Sequence, residues 1–232
     1  MQPTWQTEDG SIRLFHADCL TVLPQLEPGS VDALVTDTPY GVSKAGWDAD
    51  FPDEDFWWAV HKVLRDGASI AAYIGESCIP MKISIIGSIF VYQWLWVWYK
   101  PNAMQFGKTG YSVHDIAWWF SKGEPTARPK MRDMIIWPII PSENDFGHPT
   151  PKPLNAVTPL VAELTGDGDI ILDPFVGSGT TGGACVRLGR RFLGVEIEPR
   201  YFDIAVKRIT NAWTGGPLLA PVTRTLFGEG KG

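Results

Sequence analysis

The sequence predicts an α/β fold, a doubly wound and mostly parallel sheet with helices on both faces. Three observations predict it. Short apolar runs recur along the chain, separated by stretches of helical periodicity. Residues 169–196, DIILDPFVGSGTTGGACVRLGRRFLGVE, read as strand, glycine turn, helix, strand and terminal acid, a βαβ unit suited to holding a nucleoside. That unit also comes late, because only 36 of the 232 residues follow Glu196, enough for one helix and a tail. The remaining strands must therefore come from the residues before 169, which makes the chain circularly permuted relative to folds that begin with the nucleotide unit.

Taken in order, residues 1–10 are polar and read as loose. Ile12 to His16 reads as a strand leading to Asp18, and Leu20 to Leu26 as one or two helical turns. Val31 to Thr36 is a buried-type strand with Asp37-Thr38-Pro39-Tyr40 at its carboxyl end. Gly41 to Phe51 is expected to be a mobile loop. A helix is expected over Asp53 to Arg65, with acids in its first turn and Gly67 just beyond its end. Ala68 to Ile74 reads as a strand and residues 80–88 as a helix. Phe90 to Tyr99 is apolar on both faces, so a central strand covered on both sides is predicted, its tryptophans serving as core rather than as a base-stacking platform. Asp115 to Ser121 is the last strand before an aperiodic stretch, Gly123 to Asn144, that is the best candidate for a recognition insert. A helix over Leu154 to Leu164 returns the chain to the glycine unit, and Pro199 to Trp213 supplies the final helix. From Thr214 the tail is rich in glycine and proline and reads as disordered. One domain over residues 1–213 results, with its insert near 101–147.

Composition narrows the function classes. At 44% hydrophobic and 20% charged residues the chain can bury a sizeable core, and no apolar run is long enough to span a membrane. Cys19, Cys78 and Cys185 lack metal or redox spacing, and the four histidines are scattered, so reduced cytosolic thiols and no metal are expected. The net charge of −6 weighs mildly against a polyanionic partner, but Lys122, Arg128, Lys130 and Arg132 gather in one stretch that could meet phosphates.

The acids matter by position. Ligands of open parallel sheets bind at the carboxyl ends of strands, and Asp18, Asp37, Asp173 and Glu196 would all lie on that edge. Glu196 can accept from ribose hydroxyls, while for Asp18 the alternative to a place in the site is a cap on the helical turn after it. The glycine fingerprint by itself also admits a dinucleotide-dependent dehydrogenase, although no further strands follow Glu196 and no hydride-transfer partner is evident.

From about Ile12 to Ile209 the chain resembles the S-adenosylmethionine-dependent amino-methyltransferases of DNA, in their permuted β-group order. The segments that carry the resemblance are VDALVTDTPYG, HPTPKP and ILDPFVGSGTTGGAC with GRRFLGVEIEPRYFDIAVKRI. It implies a seven-stranded, Rossmann-like methyltransferase sheet and methyl transfer to the exocyclic N6 of a flipped-out adenine. DNA is the implied partner, with restriction–modification as a setting and a homodimer as one assembly of the family. Cytosine N4 stays open as a target, as do RNA or protein glutamine and a DNA-binding protein without catalysis. The motif implies that Asp37 and the carbonyl of Thr38 accept the two amino hydrogens, that Pro39 shapes the turn and that Tyr40 stacks on the base. Phe175, Gly177 and Gly179 would line the methionine part of the cofactor, Glu196 would hold the ribose, Ile197 would pack on the adenine and Asp18 would face its amino group. Asp37, Asp173, Ser178 and Thr180 belong to the same lining, with Thr150 and Lys152 toward the amino-acid end. Two positions depart from the family: Thr38 replaces a proline, which predicts a less rigid turn, and Pro151 replaces a common glutamine.

Overall fold

The computed structural model describes residues 1–39, 51–75, 79–102, 105–107, 110–127, 129–130, 132–138 and 152–215. Tyr40, Arg128, Thr150, Pro151, Cys78, most of the loop expected over Gly41 to Phe51 and the tail from 216 lie outside that set.

The chain forms β1 (Trp5–Gln6), β2 (Ile12–His16), α1 (Cys19–Val22), β3 (Val31–Asp37), α2 (Glu54–Val63), β4 (Leu64–Tyr73), α3 (Ile79–Gly87) and β5 (Val91–Tyr99). There follow β6 (Gln105–Gly107), β7 (Gly110–Ser112), β8 (His114–Ser121), β9 (Met134–Ile136), α4 (Leu154–Leu164), β10 (Ile170–Asp173), α5 (Thr180–Leu188), β11 (Arg191–Glu196) and α6 (Pro199–Trp213). The main sheet runs β1-β2-β11-β10-β3-β4-β8-β5-β9. Strands β2, β11, β10, β3 and β4 are mutually parallel, and β8 is inserted antiparallel between β4 and β5. The seven expected strands are present, and the short β1 and β9 extend the sheet to nine. β1 forms within the stretch expected to be loose, where Trp5 and Gln6 pair with Leu14 and Arg13.

Period-two alternation divides the core between the two faces. Ile12, Val35, Ile171 and Phe192 meet α4, α5 and α6 on one side, whereas Phe15, Leu34, Leu172 and Leu193 meet α1, α2 and α3 on the other. The sheet is thus doubly wound, with the nucleotide unit β10-α5-β11 inside it and strands that precede it in sequence to either side, β2 next to β11 and β3 next to β10.

Two further elements depart from expectation, each beside a register shift. The α2 helix starts at its Asp53 cap but stops at Val63, and β4 begins at Leu64 without a turn. Gly67 is no helix terminator: it sits at φ +75° in the irregular stretch where the β3–β4 register shifts. A Cβ there would lie 2.7 Å from the Thr126 methyl, so only glycine fits this close approach. In β5 a register shift between Tyr92 and Trp94 overturns the regular alternation. Tyr92 therefore packs on Phe120, whereas Trp96 stacks on Trp119 toward the opposite face. Strand β5 lies next to the sheet edge rather than at its centre, and Trp94 is 54% exposed while Trp96 and Trp98 are buried.

Candidate functional site

Because β2, β11, β10 and β3 are parallel, their carboxyl ends share one rim, and the acids that terminate or follow them come together there. Asp37 closes β3, Asp173 closes β10, Glu196 closes β11 and Asp18 follows β2. The β8 strand runs the other way, so its first residues, His114 and Asp115, reach the same rim.

The glycine turn crosses this rim. Gly177 and Gly179 have φ of 52° and 82°, and a Cβ on Gly179 would lie 3.0 Å from the Ala205 Cα of α6. That position needs glycine both for its backbone angle and for its contact. The Glu196 carboxylate accepts the Gly177 N–H at 2.7 Å and the Glu198 N–H at 2.9 Å. Burial pushes its carboxyl above the ordinary range, and the backbone donors only partly offset this. Ile197 follows at 55% exposure, a large apolar side chain presented beside a buried carboxylate. Arg208 of α6 donates to the hydroxyls of Ser178 at 3.0 Å and Thr180 at 2.9 Å, tying the turn to the last helix. Phe175 packs against Phe56, with ring centroids 5.2 Å apart.

Asp173 is placed beneath this turn. It accepts from the Thr36 hydroxyl at 2.7 Å and the Phe175 N–H at 3.1 Å. Burial pushes its carboxyl up to about 7 against the pull of the Thr36 and Thr181 hydroxyls and the Phe175 amide. Asp18 takes the capping position, accepting the Leu20 N–H at 2.8 Å, and its side chain remains on the exposed rim.

Around Asp37 the contacts are polar and close. The Lys152 ammonium donates to the Asp37 carboxylate at 2.6 Å and lies 5.1 Å from the centre of the buried Tyr73 ring. The carbonyl of the same lysine accepts from the Thr180 hydroxyl at 2.8 Å, so Lys152 joins the glycine turn to the end of β3. Thr38 is buried, and both its N–H and its hydroxyl donate to the Tyr73 carbonyl, at 3.1 and 3.0 Å. A proline could make neither bond, so the threonine fastens the turn rather than loosening it. Pro39 follows, half-buried.

The described residues of the basic stretch make separate contacts. Lys122 lies past the end of antiparallel β8, at the amino edge of the parallel strands, bonded to the Leu64 carbonyl and paired with Asp66. The backbone N–H of Lys130 donates to Glu163 near the end of α4, and Arg132 precedes β9. Periodicity and motif gave no role to Tyr73, Lys100, Asp115 or Arg208; strand order brings the first three to the rim, and the packing of α6 brings Arg208 to the glycine turn. Among the described residues no group of histidine, cysteine and acidic side chains is placed to hold a metal ion. No helix among them is long and apolar enough to cross a membrane.

Comparison with known proteins gives this rim a context. A family model described as DNA methylase matches residues 31–207. The chain is 28% identical to the type II methyltransferase M2.DpnII of Streptococcus pneumoniae, over 84% of this chain and 88% of that protein. It is 27% identical to the type II methyltransferase M.BglII of Bacillus subtilis, over 83% and 67%. Among solved structures, the M1.HpyAVI–SAM complex superposes with a TM-score of 0.69 at 26% identity, covering 85% of this chain and 99% of that one. The cytosine-N4-specific PvuII DNA methyltransferase superposes at 0.71 over 92% and 94%, and at 18% identity it speaks for the fold alone.

Proposed function

The chain belongs to the N6/N4 DNA methylase family, and within it we propose that the protein transfers a methyl group from S-adenosylmethionine to the exocyclic N6 of an adenine flipped out of DNA. The observation that carries this reading is the bridge from Asp37 through Lys152 to the glycine turn, with Glu196 bound to the far side of that turn. One rim thus offers a nucleoside cradle and, beside it, a carboxylate that can receive an amino group.

The residues present fit the cofactor. A buried carboxylate at a strand end suits ribose hydroxyls, the neighbouring exposed Ile197 suits an aromatic base face, and a turn that excludes a Cβ at Gly179 permits close backbone approach. We assign Phe175, Gly177 and Gly179 to the methionine portion, Glu196 to the ribose, Ile197 to the adenine and Asp18 to its amino group. Asp173, Ser178 and Thr180 hold the turn in shape. Bound there, S-adenosylmethionine supplies an electrophilic methyl group on a sulfonium.

The chain's task is to make a poor nucleophile react. The lone pair of an exocyclic amine is delocalised into the ring, and positive charge grows on nitrogen as the methyl arrives. Asp37 accepts one amino hydrogen and the Thr38 carbonyl the other, which stabilises that charge where it develops. Tyr40 stacks on the base once it has left the helix. An aspartate at the first position of this motif resembles the adenine-directed form, which favours N6 over cytosine N4. Cys19, near the rim, is pushed up to about 12, chiefly by burial, and so stays a thiol. Direct transfer requires no covalent enzyme intermediate.

The test is product identification. DNA is incubated with the protein and methyl-labelled S-adenosylmethionine, digested to nucleosides and analysed by mass. N6-methyladenine is expected. N4-methylcytosine would reassign the target base, whereas label in RNA or protein but not in DNA would overturn the proposal.

A further inference from the structure

Across Lys152 from Asp37 lies a second carboxylate that this mechanism does not use. Asp115 Oδ2 stands 4.0 Å from the Lys152 ammonium, and Asp115 Oδ1 accepts from the Lys100 ammonium at 2.9 Å. Both lysines are nearly sequestered from water, with side-chain exposures of 5% for Lys100 and 9% for Lys152. Tyr73 lies under Lys152, and Trp98 lies 5.2 Å from the Lys100 ammonium. Burial would raise the Asp115 carboxyl, but the two ammonium groups and the nearby His114 outweigh it and hold it below the ordinary carboxylate range. Among the described residues, four formal charges therefore alternate through these contacts: Lys100, Asp115, Lys152, Asp37. These four sum to zero.

We propose that Asp115 is a positioning residue for methyl transfer, holding the Lys152 ammonium between two carboxylates so that Asp37 keeps its negative charge available to the target amine. The inference rests on the amino-methyltransferase reading above. Without the Asp115 carboxylate, and with Lys100 still buried nearby, these groups would carry one more positive charge. That charge would stand beside a nitrogen that becomes positive as it reacts, and solvent would screen it only in part, since the Asp37 and Asp115 side chains are 33% and 25% exposed while the lysines are buried. Lys100 matters in this scheme only as the charge Asp115 balances, so removing both together should restore neutrality.

The experiment compares wild type, Asp115→Asn and the double variant Lys100→Gln/Asp115→Asn in steady-state methylation of DNA, alongside equilibrium binding of S-adenosylmethionine. For Asp115→Asn, kcat is expected to fall by roughly tenfold, the order expected of one nearby, partly screened charge. Its KM for DNA and its affinity for S-adenosylmethionine stay within about threefold of wild type. The double variant is expected to recover at least half of the lost rate on a logarithmic scale. Recovery distinguishes charge balance from packing, since the double variant removes more native contacts than the single one. An Asp115→Asn kcat within about twofold of wild type, or a double variant as slow as the single one, overturns the proposal. Should Asp115→Asn fail to fold, the double variant decides by the same rate criterion against wild type. A wild-type protein that methylates no nucleic acid removes the underlying reading first, and this proposal falls with it. Wild-type activity with indifferent variants removes the proposal alone.

Discussion

Replacing Asp173 by asparagine should make folding stability nearly independent of this position's protonation across the neutral range, whereas the wild-type protein should lose stability as pH rises there. The carboxyl is enclosed between β3, β10 and the glycine turn, and burial lifts it from 3.8 to about 7. An acid whose folded value is raised holds its proton where the unfolded chain has already lost it. Its favourable contribution is therefore complete at low pH, declines as pH rises toward 7 and is gone above that value. The full span is about 4 kcal/mol, and the part falling between about pH 6 and pH 8 is about a third of it, on the order of 1 kcal/mol. Asparagine keeps an oxygen to accept from Thr36 and from the Phe175 amide, and never ionises. Urea unfolding of both proteins at these two pH values measures the effect. The stability difference should shift by about 1 kcal/mol in favour of the asparagine variant at the higher pH. An unchanged difference, or a shift of opposite sign, would refute the claim that a buried and reluctant carboxylate supports this turn.

Two further perturbations address the cradle. Glu196→Ala removes the acceptor of the Gly177 and Glu198 amides, and it should weaken S-adenosylmethionine binding by roughly tenfold to a hundredfold without any DNA present. Because the Glu196 carboxyl lies above its ordinary range, wild-type affinity should also fall as pH drops through that raised value, a trend the alanine variant should lack. Calorimetric titration at several pH values reads both, and an unchanged dissociation constant removes Glu196 from the site. Gly179→Ala forces a side chain into a left-handed conformation against the Ala205 backbone. It should cost at least about 1–2 kcal/mol of stability and weaken cofactor binding, read by thermal unfolding with and without S-adenosylmethionine.

Much of this fold is legible because its signals are local. Asp53 caps α2, Pro199 opens α6 and Gly189 ends α5 in a left-handed turn, and each of these helix ends stands where the residue types put it. The parallel strands announce themselves as apolar runs ending in acids. The bulges are less legible, because Gly67 and Gln93 show their purpose only against a partner, Thr126 for the first and β8 for the second. The charge array is the least legible part. Lys100 and Asp115 look like ordinary strand-end residues until β8 is seen to run antiparallel between β4 and β5, which carries its first residues to the rim that β3 and β4 reach with their last. The same strand direction puts Lys122, past the other end of β8, on the opposite edge from Asp115.

The central claim is that Asp37 receives the target amine while the glycine turn and Glu196 hold the cofactor separately. Asp37→Ala, assayed in one preparation for S-adenosylmethionine affinity and for methyl transfer to DNA, tests it most directly. Binding should remain within about threefold of wild type while transfer falls by roughly a hundredfold to a thousandfold or more. Transfer at the wild-type rate, or a loss of cofactor binding that accounts for the whole defect, would contradict it.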